Sequence, residues 1–152
     1  MANNKSYPKP QLWRPKNYAK YRGDYNNIWI RSSWEKKVLN WMDTNPNVIE
    51  YSSEEIVIPY LSPIDGKYHR YFPDVYAKIK NSQGQIIEYL IEIKPLHQTI
   101  EPEVKNRITK KYINEVYTWG INSAKWKAAD RYCKERKIIF KLMTEREIFG
   151  LK

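Results

Sequence analysis

Asp74, Glu92 and Lys94 are the side chains of this chain whose types and spacing could do chemistry. Asp74 ends the run Phe72-Pro73-Asp74 and is followed by Val75-Tyr76. Glu92 and Lys94 lie in Leu90-Ile91-Glu92-Ile93-Lys94-Pro95. Two carboxylates and an ammonium gathered at one place could hold a hard divalent cation and orient a water beside it. On a chain of formal charge +10, that combination suits hydrolysis of a phosphodiester bond in a polyanion. Pro-Asp and Glu-x-Lys are each common by chance. Their weight comes from falling on two runs that the chain should bring together.

Asn81-Ser82-Gln83-Gly84 separates two runs of alternating apolar residues, which predicts a β-hairpin with a short glycine-containing loop. A loop centred on Gln83 sets Val75 opposite Ile91, Ala77 opposite Tyr89 and Ile79 opposite Ile87 on one inward face. Lys78 then faces Glu88 on the other face, which should be polar, and Asp74 faces Glu92 there. Directly opposed residues have Cβ atoms about 4.5–5.5 Å apart, close enough for one cation to bridge both acids. Lys94, two residues past Glu92, points the same way. A slip by one residue would part the acids but would also lose the apolar pairs.

The other elements follow from periodicity and punctuation. Trp34, Val38, Trp41 and Met42 have helical spacing, and Ser32 with Glu35 forms a capping-box pattern closed by Pro46. Val48–Ser52 and Glu55–Leu61 read as strands, and Asp65-Gly66 turns the chain toward Asp74. After Pro95, Val104, Ile108, Tyr112, Val116 and Trp119 make one helical stripe. Gly120 should break it, and Ile121, Ala124, Ala128 and Tyr132 make a second. Ile138–Met143 reads as a last strand and Thr144-Glu145-Arg146-Glu147 as the start of a short helix. The expected fold class is α/β, in the order α-β-β-β-α-α-β-α, with a mixed central sheet. Residues 1–27 stand apart as a basic, aromatic, proline-bearing arm, leaving 28–152 as a single domain. The arm could lie along DNA, wrap the domain or be a partly ordered tail.

Composition narrows the classes of function. The 152 residues carry 27 Lys and Arg against 17 Asp and Glu, with six Trp and thirteen Tyr. That balance favours a nucleic-acid partner, with aromatics available to stack on bases. A lone cysteine, Cys133, excludes an internal disulfide and a zinc ribbon. It fits a reducing compartment and a small buried role in a helix. Absence of an apolar leader and of any membrane-length apolar run predicts a chain neither secreted nor membrane-bound. There is no phosphate-binding Gly-x-x-x-x-Gly-Lys motif, so no nucleotide cofactor is expected. His69 and His97 lack metal-pair spacing. Glu35 can cap its helix, supply a third carboxylate, or do both. Arg22, Arg31, Arg70 and Gln98 are the candidate DNA contacts.

Longer stretches carry a resemblance. Asp74, Glu92 and Lys94, with Glu35 on an upstream helix, resemble the PD-(D/E)xK nuclease superfamily, which implies a restriction-endonuclease-like core. Tyr21-Arg22-Gly23-Asp24, Ile30-Arg31-Ser32-Ser33-Trp34-Glu35 and Glu54-Glu55-Ile56-Val57-Ile58-Pro59-Tyr60 add to it. So do His69-Arg70-Tyr71-Phe72-Pro73-Asp74 and Ile91-Glu92-Ile93-Lys94-Pro95. Together they are similar to the head-completion nucleases of large contractile-tailed bacteriophages, and more distantly to transposon-end endonucleases. The resemblance implies a Mg2+-dependent endonuclease, with Mn2+ as substitute, acting on double-stranded DNA after genome packaging. Asp74, Glu92 and the backbone carbonyl of Ile93 would hold the metal. Glu35 would hold a second metal or water, and Lys94 would orient the attacking water. Portal or neck proteins are the implied partners, and the host cytoplasm, with or without the virion, is the implied location. Two other readings stay open: a DNA-end-binding neck protein without turnover, and a junction-resolvase-like enzyme.

Overall fold

The computed structural model describes residues 9–152. Four strands form the central sheet: β3 (Val48–Ser53), β6 (Val75–Lys80), β7 (Ile86–Ile93) and β8 (Ile139–Met143), in the order β3-β6-β7-β8. The first three are antiparallel, and β8 runs parallel to β7. A parallel neighbour needs a crossover, which α2 (Lys110–Arg136) supplies. The sheet is thus mixed, as expected. The β6–β7 register matches the sequence reading: Val75 pairs with Ile91, Ala77 with Tyr89, Lys78 with Glu88 and Ile79 with Ile87. Lys78 Nζ lies 3.8 Å from Glu88 and 3.2 Å from Glu50.

Both faces of the sheet are covered. On one, Val75, Ala77 and Ile91 pack with Val38, Leu39 and Met42 of α1 (Ser33–Thr44) and with Ile148 of α3 (Glu145–Ile148). On the other, Tyr76 and Leu90 pack under Ala129 and Cys133 of α2, together with Ile58, Tyr60 and Tyr71. This corrects the expected polar face: Lys78 and Glu88 are its outer rim, and its centre is core. Ile58, Tyr60 and Tyr71 come from a hairpin of β4 (Ile58–Leu61) and β5 (Tyr68–Tyr71), turned at Gly66 with φ +68°. A side chain would be strained at that φ.

Local signals set the helix ends. Ser32 Oγ accepts the Glu35 N–H at 3.1 Å, and Thr109 Oγ1 accepts the Tyr112 N–H at 3.1 Å. Thr144 and Glu147 form a reciprocal capping box on α3. Two expectations need correction here. The helix break at Gly120 does not occur, since α2 runs unbroken through it. One glycine costs a helix about 1 kcal/mol, and packing against the sheet and the β4–β5 hairpin outweighs that. Val104 and Ile108 precede α2 rather than lining it, and both side chains are exposed.

Residues 9–27 are not a separate arm. β1 (Gln11–Trp13) pairs with β2 (Ile28–Ile30), and Trp13 and Tyr21 are buried in the α1-side core. Asp43, 2 % exposed, fastens the segment. Its carboxylate accepts the Lys16 and Asn17 N–H groups at 2.9 and 3.2 Å and the Tyr51 hydroxyl at 2.9 Å. The boundary drawn at residue 27 therefore falls inside one packed body. Of the alternatives for the arm, wrapping the domain holds for residues 9–27, while residues 1–8 lie outside the described part.

Candidate active site at the end of the central hairpin

The β6–β7 pairing places Asp74 and Glu92 side by side at one end of the sheet. Asp74 immediately precedes β6, and its Oδ2 accepts the Ile93 N–H at 2.7 Å. Glu92 is 7 % exposed and accepts a hydrogen bond from the Tyr71 hydroxyl of β5. The two carboxyls lie within hydrogen-bonding reach of each other. Burial holds the Asp74 carboxyl well above the ordinary carboxylate range, and the charge of Glu92 adds to this. Burial also raises Glu92, opposed by the Tyr71 hydroxyl and by the Lys94 ammonium. The Lys94 charge acts on both acids in the same sense, lowering each.

Two carboxylates sunk together in a site of low polarity repel each other, and a shared proton or a cation relieves them. Hard oxygen donors of this kind suit Mg2+, which is commonly held by one or two carboxylates with water completing its shell. The donor set therefore fits a divalent metal. It is a pair rather than a cage: among the described residues, no group of three or more His, Cys, Asp or Glu side chains is placed to hold a metal ion.

Glu35 meets its capping-box reading only in half, since Ser32 Oγ accepts its N–H but its own carboxylate does not return to the Ser32 N–H. It lies in the first turn of α1, and its carboxylate accepts the Arg31 N–H at 3.0 Å. Burial raises its carboxyl, with smaller contributions from Asp74 and then Glu54. The charge of Asp74 is thus felt at Glu35. Arg31 is engaged elsewhere, with its guanidinium 2.7 Å from Glu54. Arg70 is exposed on β5, its guanidinium 5.8 Å from the centre of the Phe72 ring. Arg22 lies over the Tyr76 ring at 5.5 Å and lines a cavity of about 630 Å³ with Tyr132 and Arg136. None of Glu35, Asp74, Glu92 or Lys94 lines that cavity. Gln98 sits in a short turn, Leu96–Thr99, and lines a cavity of about 820 Å³ against α2, shared with His97. His69 pairs instead with Asp65 at 2.7 Å.

Three neighbours of the acids were not singled out from sequence. Tyr71 donates to Glu92, but nothing in its alternation distinguishes it from an ordinary core tyrosine. Lys125 of α2 lowers the Glu92 carboxyl, and its ammonium lies 5.5 and 5.7 Å from the ring centres of Tyr71 and Tyr60. It is one lysine among many on a long helix, so no local signal marks it. Glu54 holds Arg31 and donates its N–H to the Asp74 carbonyl at 3.1 Å. Its φ of +53° lies in the left-handed region, which a non-glycine residue adopts at a cost of about 1–3 kcal/mol.

Two comparisons with known proteins place the chain in a family. Residues 45–145 match the family model described as TnsA-like endonuclease N terminal. That span contains Asp74, Glu92, Lys94 and Lys125, and leaves out Glu35. Over 137 residues the chain is 45 % identical to the head completion nuclease of Enterobacteria phage T4, covering 88 % of this chain and 89 % of that protein. The chain belongs to the TnsA-like endonuclease family and is a relative of that phage head completion nuclease.

Proposed function

We propose that this chain is a divalent-metal-dependent endonuclease that hydrolyses phosphodiester bonds of double-stranded DNA during completion of a phage head. One observation carries the reading: the paired, buried carboxylates of Asp74 and Glu92, both of which feel the charge of Lys94. The likeness to the phage T4 head completion nuclease supports the biological setting.

Asp74 and Glu92 would hold Mg2+ or, as a substitute, Mn2+, with the Ile93 carbonyl as a further oxygen and Glu35 oriented toward a second ion or a water. Bound there, the metal supplies charge neutralisation at the phosphate and lowers the pKa of a coordinated water. Lys94, as an ammonium donor, orients the attacking water and offsets charge at the phosphate. Lys125 brings a second ammonium to the same wall. Tyr71 fixes the rotamer of Glu92 by its hydrogen bond. The excess of 27 basic over 17 acidic residues supplies phosphate attraction without sequence readout, so binding should weaken steeply with salt.

Cleavage of linear, circular and branched DNA, with Mg2+ and with chelator, tests the reading. The expected result is cutting of unbranched duplex that needs the metal and disappears in Asp74→Ala and Lys94→Ala, while both variants still retain DNA. Cutting in chelator would contradict it. Retention without cutting under any condition would favour a DNA-end-binding neck protein, and restriction to branched DNA would favour a resolvase.

A further inference from the structure

We propose that the cavity between residues 97–102 and the N-terminal half of α2 receives an unpaired base of the DNA strand engaged at Asp74 and Glu92. The substrate class is then duplex DNA with a frayed or single-stranded end. This inference rests on the nuclease reading above and adds a subsite to it.

The cavity, about 820 Å³, lies within the range of small-molecule sites, roughly 300–1,000 Å³. Ile100, Pro102 and Trp119 give it apolar walls, and His97, Gln98 and Asn122 bring polar edges to it. Asn122 is the telling residue. It is 7 % exposed and lines the cavity, and its amide, which makes no hydrogen bond to a described residue, is not among the polar atoms sealed from solvent, so it is open to an occupant of the cavity. An open amide at the edge of an apolar pocket offers a donor and an acceptor to an occupant. Asn and Gln amides pair in that way with base edges, and aromatic rings stack on unstacked bases.

Charge favours a base over a phosphate. The charged lining residues are Lys111, Glu101 and Glu115, a set that offers an anion little attraction. Position links the cavity to the acids. Lys94 is followed by Pro95 and the turn Leu96–Thr99, and the Leu96 N–H is anchored on Glu145 at 3.0 Å. His97 is three residues from Lys94, at most about 10 Å along an extended chain. A short unpaired strand can span that distance, and its bases enter a pocket without the cost of unpairing and unstacking that a base of intact duplex would carry.

The test uses the full chain in chelator, so that no cleavage intervenes. Affinity is measured for a blunt duplex and for the same duplex with a short unpaired end carrying 5-iododeoxyuridine, which is then photo-crosslinked and mapped. The expected result is tighter binding of the unpaired end, with the adduct on His97, Trp119 or their immediate neighbours. Asn122→Leu and Trp119→Ala should each lose about tenfold of that preference, the worth of one stacked or paired base. Equal affinity for both DNAs, or an adduct only outside the cavity, would overturn the proposal. Should Mg2+ give no cleavage while the preference and adduct remain, the nuclease reading fails and the base site stands.

Discussion

The Asp74–Glu92 pair places a cost at the end of the central hairpin. Both carboxyls are raised above their ordinary range by burial, and Asp74 further by its partner. A group whose folded pKa is raised contributes stability below its unfolded pKa, about 4 for these acids. That contribution is lost as pH rises through the folded pKa. At neutral pH without metal, the ionised pair therefore destabilises the fold. Asp74→Asn should raise the thermal midpoint in chelator at pH 7, with the gain shrinking toward pH 4. Mg2+ should raise the midpoint of the natural chain and leave that of the variant unchanged. Scanning calorimetry at both pH values checks the sign. Tyr71 acts on the same site: Tyr71→Phe leaves a buried carboxylate with one donor fewer, an expected loss of about 1–3 kcal/mol by denaturant titration. The pairing of Asp74 with Glu92 was legible because both are local to one hairpin. Tyr71 and Lys125 were not, because strand and helix partners distant in sequence bring them there.

At the scale of elements, the hairpin register could be read because turn chemistry and alternation agreed on it. The unbroken α2 could not, because Gly120 is a local signal and the packing that overrides it is tertiary. β1 and β2, three residues each, are too short to show a period. The β4–β5 hairpin was half visible, through Asp65-Gly66 and the run ending at Leu61. One element carries a strain that can be relieved. Lys137 closes α2 in the left-handed region with φ +57°, and its N–H and that of Ile138 both reach the Cys133 carbonyl. Glycine is the usual residue at such a position. Lys137→Gly should therefore stabilise the protein by about 1 kcal/mol, read as a higher denaturant midpoint with an unchanged slope.

The whole molecule is organised so that covered faces leave one end of the sheet for chemistry. α1 and α3 close one face, α2 and the β4–β5 hairpin close the other, and residues 9–27 tie β1 and β2 to α1 through Asp43. That fastening belongs to the fold and lies away from the acids. Asp43→Ala leaves three donors without their acceptor, and a loss of about 3 kcal/mol is expected, visible as a lowered thermal midpoint. Among the described residues, no helix is long and apolar enough to cross a membrane. The fold class was legible from the order of periods. The placement of residues 9–27 was not, since prolines and basic residues read the same on a wrapped segment and on a free one.

A crystal of the full chain soaked in Mn2+, examined by anomalous scattering at the manganese edge, tests the central claim most directly. The account predicts a peak in contact with carboxylate oxygens of both Asp74 and Glu92, absent from crystals of Asp74→Asn. Manganese bound only elsewhere on the chain, with those two carboxyls sharing a proton instead, would contradict it.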